Sequence, residues 1–334
     1  MSVSSSLRPN VPGAGRQARR ARRWVLGWLA MAAALAVLWL AGPRYVYGPD
    51  EPAPRVQPPA ALAELDGWLA AQEAARPDLR PGTAKGIVWH GAPGTRTPWA
   101  VVYLHGFTAS RMETAPLAER VAQALGANLF HTRLAGHGRS PQALAAVKPQ
   151  DWLADAVEAV RIGHAIGEQV LLIGTSTGAT LGAWLAMRPE AAGVPVQRQV
   201  WISPNFGPAD KRTEWLNGPW GKQLAQWITG GVVGSPSDDP RIEMGWTRVY
   251  PVQALFPMMA LVQRVREADV STVKTPVLVL YSPRDRTVDP ALTEALFARL
   301  GSPVKQLERV EDSTDHDQHV LAGDLRSPGT TQRL

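Results

Sequence analysis

Residues 169–188 read QVLLIGTSTGATLGAWLAMR, and this stretch decides the fold. An apolar run over 170–173 ends at the turn GTSTG, residues 174–178, and a helix-forming run of small residues follows. Glycines two positions either side of Ser176 let a strand and a helix pass closely while the serine backbone takes a strained turn. Strand, sharp turn and helix in this order are typical of a nucleophile elbow. Ser176 is therefore the candidate nucleophile.

Strand and helix patterns alternate on both sides of this stretch. Strands are predicted at 85–90, 99–104, from 127, at 196–203, 275–281 and 305–310, and helices at 114–125, 151–166 and 290–300. This alternation predicts an α/β domain over 81–334, with a mostly parallel sheet and helices on both faces.

The alternation of strand and helix patterns stops between about residues 205 and 269. This segment is rich in Trp and Met and is too long for a plain loop. We interpret it as a cap inserted above the carboxyl edge of the sheet, where it supplies an apolar pocket. Ordinary core packing of a longer helical excursion is the alternative.

The amino terminus predicts a membrane segment. Residues 1–23 carry six arginines and no acid, so they form a basic tail that should stay in the cytoplasm. Residues 24–42 include an uncharged run long enough to cross a bilayer as a helix. We expect a single-pass anchor in the cytoplasmic membrane, with the catalytic domain on the extracytoplasmic side. A cleaved signal peptide, which would make the chain an exported soluble protein, is the alternative.

Residues 43–80 combine a proline-rich spacer with an amphipathic helix over 60–75. Beyond the tail the chain has equal numbers of acidic and basic residues, which gives no support for a nucleic-acid partner. Cysteine is absent, so neither disulfides nor thiol chemistry is available. No spacing of His, Asp or Glu suggests a metal, and no phosphate-binding glycine loop follows a strand. We therefore predict neither a metal nor a cofactor.

A serine nucleophile needs a base, and the base needs an acid to orient it. Asp285 and Asp289 both follow the strand at 275–281. Asp289 precedes a proline and a helix, so helix capping explains it, whereas Asp285 has no such task and is the candidate acid. The base should follow the last strand, where His316 and His319 are available. His316 lies between two aspartates and looks solvated, while the apolar residues after His319 favour packing against the core.

Five segments, in order, resemble the esterase, monoacylglycerol lipase and serine-aminopeptidase-like branch of the α/β-hydrolase superfamily. They are YLHGFTAS (103–110), RLAGHGRS (133–140), IGTSTGATLG (173–182), YSPRDRTV (281–288) and DQHVLAGD (317–324). The resemblance implies the α/β-hydrolase fold, with Ser176, Asp285 and His319 as nucleophile, acid and base. It also implies an oxyanion hole from the backbone N–H groups of Phe107 and Thr177. The family normally ends in a long helix after the base, whereas only ten residues follow Asp324 here.

These inferences together predict a membrane-anchored serine hydrolase that cleaves lipid or small acyl esters through an acyl-enzyme. Peptide or amide cleavage, or acyl transfer, on the same three residues is one alternative. A catalytically silent module that binds a lipid or a partner through the cap is another. Protein partners cannot be identified from the sequence.

Overall fold

The computed structural model describes residues 14–334, with side chains from Arg19 onward, so residues 1–13 of the predicted basic tail lie outside the described residues. The strands in chain order are β1 (Gly86–Val88), β2 (Thr97–Leu104), β3 (Asn128–His131), β4 (Gly167–Thr175), β5 (Arg198–Ile202), β6 (Val232–Val233), β7 (Tyr250–Pro251), β8 (Val277–Tyr281) and β9 (Lys305–Arg309). Seven of them form one sheet in the order β1-β3-β2-β4-β5-β8-β9, and β6 pairs with β7 separately.

All neighbouring strands of the main sheet are parallel except β1 and β3. The parallel strands therefore bring the ends of β2, β4 and β8 to the same edge, where ligands bind in open α/β sheets. Side chains from Ala100 to Leu104 of β2 are all fully buried, because helices cover both faces of the sheet. The prediction of an α/β fold with a mostly parallel sheet is confirmed.

The α-helices in chain order are α1 (Ala14–Leu40), α2 (Leu62–Ala74), α3 (Leu117–Leu125), α4 (Pro141–Ala145), α5 (Pro149–Ile166), α6 (Thr177–Met187), α7 (Gly221–Thr229), α8 (Pro240–Gly245), α9 (Leu255–Glu267), α10 (Pro290–Arg299) and α11 (Pro328–Thr331). Asp289 accepts a hydrogen bond from the Ala291 N–H (2.9 Å) at the start of α10. Helix capping by Asp289 is thus confirmed, which leaves Asp285 free for another task.

The segment between β5 and β8 holds α7, α8, α9 and the β6–β7 pair. Its apolar side chains divide into two groups. Trp246, Met258 and Met259 are buried and line a cavity at the sheet edge. Trp227 on α7 instead points outward, with 83% of its surface exposed.

Helix α1 and the segment after it lie at the start of the described chain. Within α1, Arg19–Leu40 has a mean hydropathy of 1.7 and none of it is buried, so it is long and apolar enough to cross a membrane.

The proline-rich segment that follows has no regular structure, yet it is packed on the domain rather than extended into solvent. Asp50 accepts hydrogen bonds from Trp184 (2.9 Å) and Arg188 (2.9 Å). Leu65 and Leu69 of α2 are likewise buried in the core.

Candidate active site

Ser176 occupies a tight turn between β4 and α6. Its φ of +53° and ψ of −117° are unusual for a residue with a side chain, and such strain is kept where the surrounding structure enforces it. A Cβ at Gly174 would lie 2.6 Å from the Gly178 carbonyl oxygen, and one at Gly178 would lie 2.0 Å from the Leu104 carbonyl oxygen. Only glycine fits at either position, so the turn requires the G-x-S-x-G spacing.

Asp285 and His319 meet beyond the ends of β8 and β9. The His319 Nδ1 lies 2.7 Å from the Asp285 Oδ2, and both side chains are almost fully buried. The other carboxylate oxygen of Asp285 accepts the backbone N–H groups of Thr287 (2.8 Å) and Val288 (3.0 Å). These bonds fix the carboxylate, which in turn leaves the Nε2 of the imidazole as its open nitrogen.

His319 is the histidine that shares a cavity with Ser176. The cavity has a volume of about 350 Å³, and Ser176 and His319 both line it together with Phe107. Among the hydrogen bonds of the described residues, none joins the Ser176 hydroxyl to the His319 ring. Such contacts often tighten only when substrate is bound. His316 is 82% exposed and its ring pairs with the neighbouring Asp317, so the prediction that it is solvated is confirmed.

The backbone N–H groups of Phe107 and Thr177 lie on different segments. Phe107 follows β2, and its N–H donates to no acceptor of the described chain. Thr177 is the first residue of α6, where an N–H has no acceptor within the helix. Helix N-termini favour negative charge, so the Ser176 turn lies at an end of α6 suited to an oxyanion.

His105 has a structural position in the loop after β2. Its Nε2 accepts the Leu134 N–H (3.1 Å), and its Nδ1 lies 2.9 Å from the Gly106 carbonyl oxygen. Burial lowers the pKa of His105 to about 4, so the ring is neutral at physiological pH. These contacts indicate that His105 helps to fix the shape of the loop.

Two acidic residues that line the cavity, Glu113 and Asp315, are not identified as site residues by the sequence. Glu113 is 3% exposed and lines the cavity, and burial raises its pKa to about 7 despite a hydrogen bond from the Gly106 N–H. Asp315 is 2% exposed and accepts the backbone N–H groups of His319 (2.9 Å) and Val320 (3.1 Å). Neither has a motif around it, although the hydrogen-bond partners of both lie only 4 to 11 residues away along the chain. Both stand in polar stretches, RMET (111–114) and DSTDHDQ (312–318), so no local pattern sets either acid apart.

Within residues 19–334, no group of three or more His, Asp or Glu side chains is placed to hold a metal ion. The expectation that the chain needs no metal or cofactor stays a prediction.

A model of the α/β-hydrolase family matches residues 87–324, which is most of the chain and includes every segment of the site. The chain belongs to the α/β-hydrolase family. This α/β-hydrolase is 27% identical over 240 residues to a thermostable monoacylglycerol lipase of Bacillus sp. (strain H-257), a match that covers 67% of this chain and 87% of that protein.

Solved structures place the α/β-hydrolase among similar folds. One comes from work on LipS and LipT, two metagenome-derived lipolytic enzymes, with a TM-score of 0.58, 25% identity, and coverage of 73% of this chain and 91% of that one. Another is a soluble variant of the Saccharomyces cerevisiae monoglyceride lipase, with a TM-score of 0.55, 14% identity, and coverage of 75% and 89%. The second likeness shows the fold alone.

Proposed function

We propose that the chain is a serine hydrolase that cleaves carboxylic esters, with Ser176 as nucleophile, His319 as base and Asp285 as the acid that orients it. The 2.7 Å bond between Asp285 and His319, beside the cavity that holds Ser176, is the observation that carries the proposal. A carboxylate on Nδ1 fixes the tautomer whose Nε2 can accept a proton, which is what a serine hydroxyl needs to become a nucleophile.

The reaction follows from these positions. The Ser176 oxygen attacks the ester carbonyl carbon while its proton passes to the Nε2 of His319. The Phe107 and Thr177 N–H groups bind the oxyanion of the tetrahedral intermediate. His319 then gives the proton to the departing alcohol, which leaves an acyl group on Ser176. Water then attacks the acyl carbonyl while its proton passes to His319. As the bond to Ser176 breaks, His319 returns that proton to the Ser176 oxygen and the carboxylic acid is released.

A lipid or small acyl ester is the substrate class that the site favours. The cavity volume lies within the range of small-molecule sites, and apolar side chains of the cap form much of its wall: Leu216, Ile242, Trp246, Leu255, Met258 and Met259. The similarity to a monoacylglycerol lipase agrees with an acyl chain in this wall. Amide cleavage or acyl transfer on the same residues, and a silent lipid-binding module, are the competing functions.

Covalent labelling by a fluorophosphonate tests the proposal and separates it from a silent module. The wild-type chain should be labelled and should hydrolyse a water-soluble ester, while Ser176→Ala should do neither and should unfold at the same temperature. Asp285→Asn and His319→Ala should lower kcat by several orders of magnitude, because triad members act as a unit. His316→Ala is the matched control and should keep wild-type kcat. Normal labelling of Ser176→Ala would exclude Ser176 as the nucleophile.

A panel of substrates distinguishes the enzymatic alternatives. The purified chain is offered esters of graded acyl length and aminoacyl amides with the same reporter group. We expect turnover of the esters with an optimum in chain length set by the cavity. Faster turnover of the amides would indicate a peptidase or amidase. Acyl transfer to an added alcohol in preference to water would indicate an acyltransferase.

We also propose a location. Residues 24–42 anchor the chain in the cytoplasmic membrane with the basic tail inside, residues 43–80 join the anchor to the domain, and residues 81–334 form the extracytoplasmic hydrolase domain with its cap at about 205–269. The exposed apolar surface of α1 supports this arrangement. Protease added to cells with a permeabilised envelope but an intact cytoplasmic membrane should digest the domain. A mature amino terminus beyond Gly42 would instead identify a cleaved export signal.

A further inference from the structure

Glu113 is a buried acid that the proposed reaction does not use. It lies on the loop between β2 and α3, and its carboxyl faces the cavity beside Ser176. A Cβ on Gly106 would lie 2.6 Å from the Glu113 Oε1 and 3.2 Å from the Ser176 Cβ. The carboxyl, the loop after β2 and the nucleophile are therefore packed directly against one another.

The hydrogen bonds of Glu113 reach two segments at once. Its Oε2 accepts the Gly106 N–H (2.7 Å) and the Tyr103 hydroxyl (3.1 Å). The Tyr103 oxygen lies 3.2 Å from the Thr175 Oγ1. When Glu113 is ionised, its carboxylate can only accept. Because Tyr103 has a single hydroxyl proton, Tyr103 then donates to Glu113 and accepts from Thr175.

These contacts begin and end beside the two proposed oxyanion donors. Gly106 is the neighbour of Phe107, and Thr175 lies two residues before Thr177. The Phe107 N–H lies on the loop after β2 and the Thr177 N–H lies at the start of α6. The distance between these two donors therefore depends on the contacts that join the loop to the turn before α6. The chain Gly106–Glu113–Tyr103–Thr175 is a side-chain connection between them, and all four residues are buried.

We propose that Glu113 is a positioning residue, which sets the oxyanion hole by holding the Gly106 N–H and, through Tyr103, the turn at Thr175. The proposal rests on the proposed function for its catalytic consequence. Losing one oxyanion donor costs about 100- to 1000-fold in kcat, and displacing a donor costs part of that. Removing the Glu113 carboxyl should therefore lower kcat by about 10- to 100-fold. KM should change little, because the bound substrate has a neutral carbonyl and the oxyanion forms only as the reaction proceeds.

Three variants distinguish a positioning role of Glu113 from an effect of its negative charge and from an effect of its packing: Glu113→Ala, Glu113→Gln and Tyr103→Phe. They are measured on the full chain in detergent with a water-soluble ester, on the alkaline plateau of its pH profile. Glu113→Ala removes every bond and should show the full loss of kcat. Glu113→Gln should keep kcat within several-fold, because its amide oxygen can accept from both Gly106 and Tyr103. Tyr103→Phe keeps the Gly106 bond and should lose several-fold.

Glu119→Ala is the matched control. Its carboxylate bonds the buried ring of His131 (3.0 Å) on the same helix-and-strand unit but outside the cavity. It should change thermal stability and leave kcat unchanged. Should Glu113→Ala fail to fold, Tyr103→Phe tests the same chain of bonds, and wild-type kcat in that variant would then overturn the proposal.

Hydrogen exchange gives a readout that does not need turnover. The Gly106 amide should exchange faster in Glu113→Ala than in the wild type, and at the wild-type rate in Glu113→Gln and Glu119→Ala. Unchanged Gly106 exchange, wild-type kcat in folded Glu113→Ala, or equal defects in the Ala and Gln variants would overturn the proposal. Ester hydrolysis that survives Ser176→Ala would contradict the proposed function instead, and the exchange result would still decide the role of Glu113.

Discussion

Charged side chains contact His319 or line the cavity beside it. Asp285 bonds the ring and Asp315 bonds the backbone N–H of His319. The other charged residues of the cavity wall are Glu113, Arg248, Asp317 and Arg326. Burial alone would lower the pKa of His319, but attraction to Asp285 and the hydrogen bond with it, helped by Glu113 and Asp315, raise that pKa above its ordinary value of 6.5. The His319 ring therefore holds its proton to a higher pH than a free histidine would.

The pH profile of kcat/KM should report this shift. The proposed mechanism needs neutral His319, so activity should be lost as the pH falls and the ring gains a proton. Because the pKa is raised, the half-point should lie above 6.5. Glu113→Gln removes one of the negative charges and should move the half-point to lower pH. A half-point below 6.5 in the wild type, or a move to higher pH in the variant, would contradict this account.

The segment after β9 holds the His319 loop in place through hydrogen bonds of its side chains. Arg326 bonds the Oδ1 of Asp315 (2.7 Å), whose other oxygen holds the His319 backbone. Ser313 and Ser327 share a 2.6 Å hydrogen bond, and the Gly323 N–H donates to the Thr331 Oγ1 (2.8 Å). Residues 313–331 thus support the His319 loop through bonds between side chains and through side chains that accept backbone N–H groups.

Arg326→Ala should weaken this element. It leaves the fully buried Asp315 carboxylate without its cation, which should lower the free energy of unfolding by about 1–3 kcal/mol. The His319 loop should also become less ordered, with a lower kcat. Urea unfolding and ester turnover measure the two effects.

Arg333→Ala is the control for that substitution. Arg333 pairs with Asp312 at the surface, where both side chains are about half exposed, so its loss should change the free energy of unfolding by less than about 1 kcal/mol. Equal urea midpoints for Arg326→Ala and Arg333→Ala would show that the Asp315 pair does not support the loop.

Features that depend on residues adjacent in the chain could be predicted from the sequence. The turn at Ser176 could be predicted because its strand, glycines and helix lie within one short stretch. Asp289 could be separated from Asp285 because helix capping also depends on adjacent residues. Glu113 and Asp315 could not be found in this way. Their partners Gly106, Tyr103 and Arg326 lie 7 to 11 residues away, across loops whose course has no sequence motif.

The proline-rich segment shows the same limit at the scale of the whole molecule. Its composition predicts an extended spacer, and it has no regular structure. The ion pairs of Asp50 with Arg188 (2.9 Å) and Arg264 (3.0 Å), and of Arg55 with Asp155 (3.1 Å), nevertheless hold it on the domain. Those partners lie roughly 100 to 200 residues further along the chain, so no local pattern could indicate them.

Truncation should separate the anchor from the segment that follows it. A chain that begins at Pro43 should be soluble without detergent and keep wild-type kcat on a water-soluble ester, because it retains Asp50 and Arg55. A chain that begins at Pro59 leaves the partly buried groups around Trp184 without Asp50 and should be less stable, by roughly 2–4 kcal/mol. Urea unfolding of the two chains makes the comparison. Equal midpoints would show that the segment adds nothing to the domain.

The end of α1 is also joined to the domain. The Trp220 N–H donates to the Pro43 carbonyl (2.9 Å), and the Trp220 indole donates to the Leu38 carbonyl (3.4 Å). If residues 43–58 were free, they could stretch about 50 Å from the anchor. Because they are bonded to the domain, the domain cannot move away from the end of α1 by extending them. At the proposed location, the cavity would then keep one height and one orientation above the lipid plane. Turnover of membrane esters would follow their mole fraction in the facing leaflet, and lateral diffusion of the lipid, rather than tumbling of the domain, would bring substrate to Ser176.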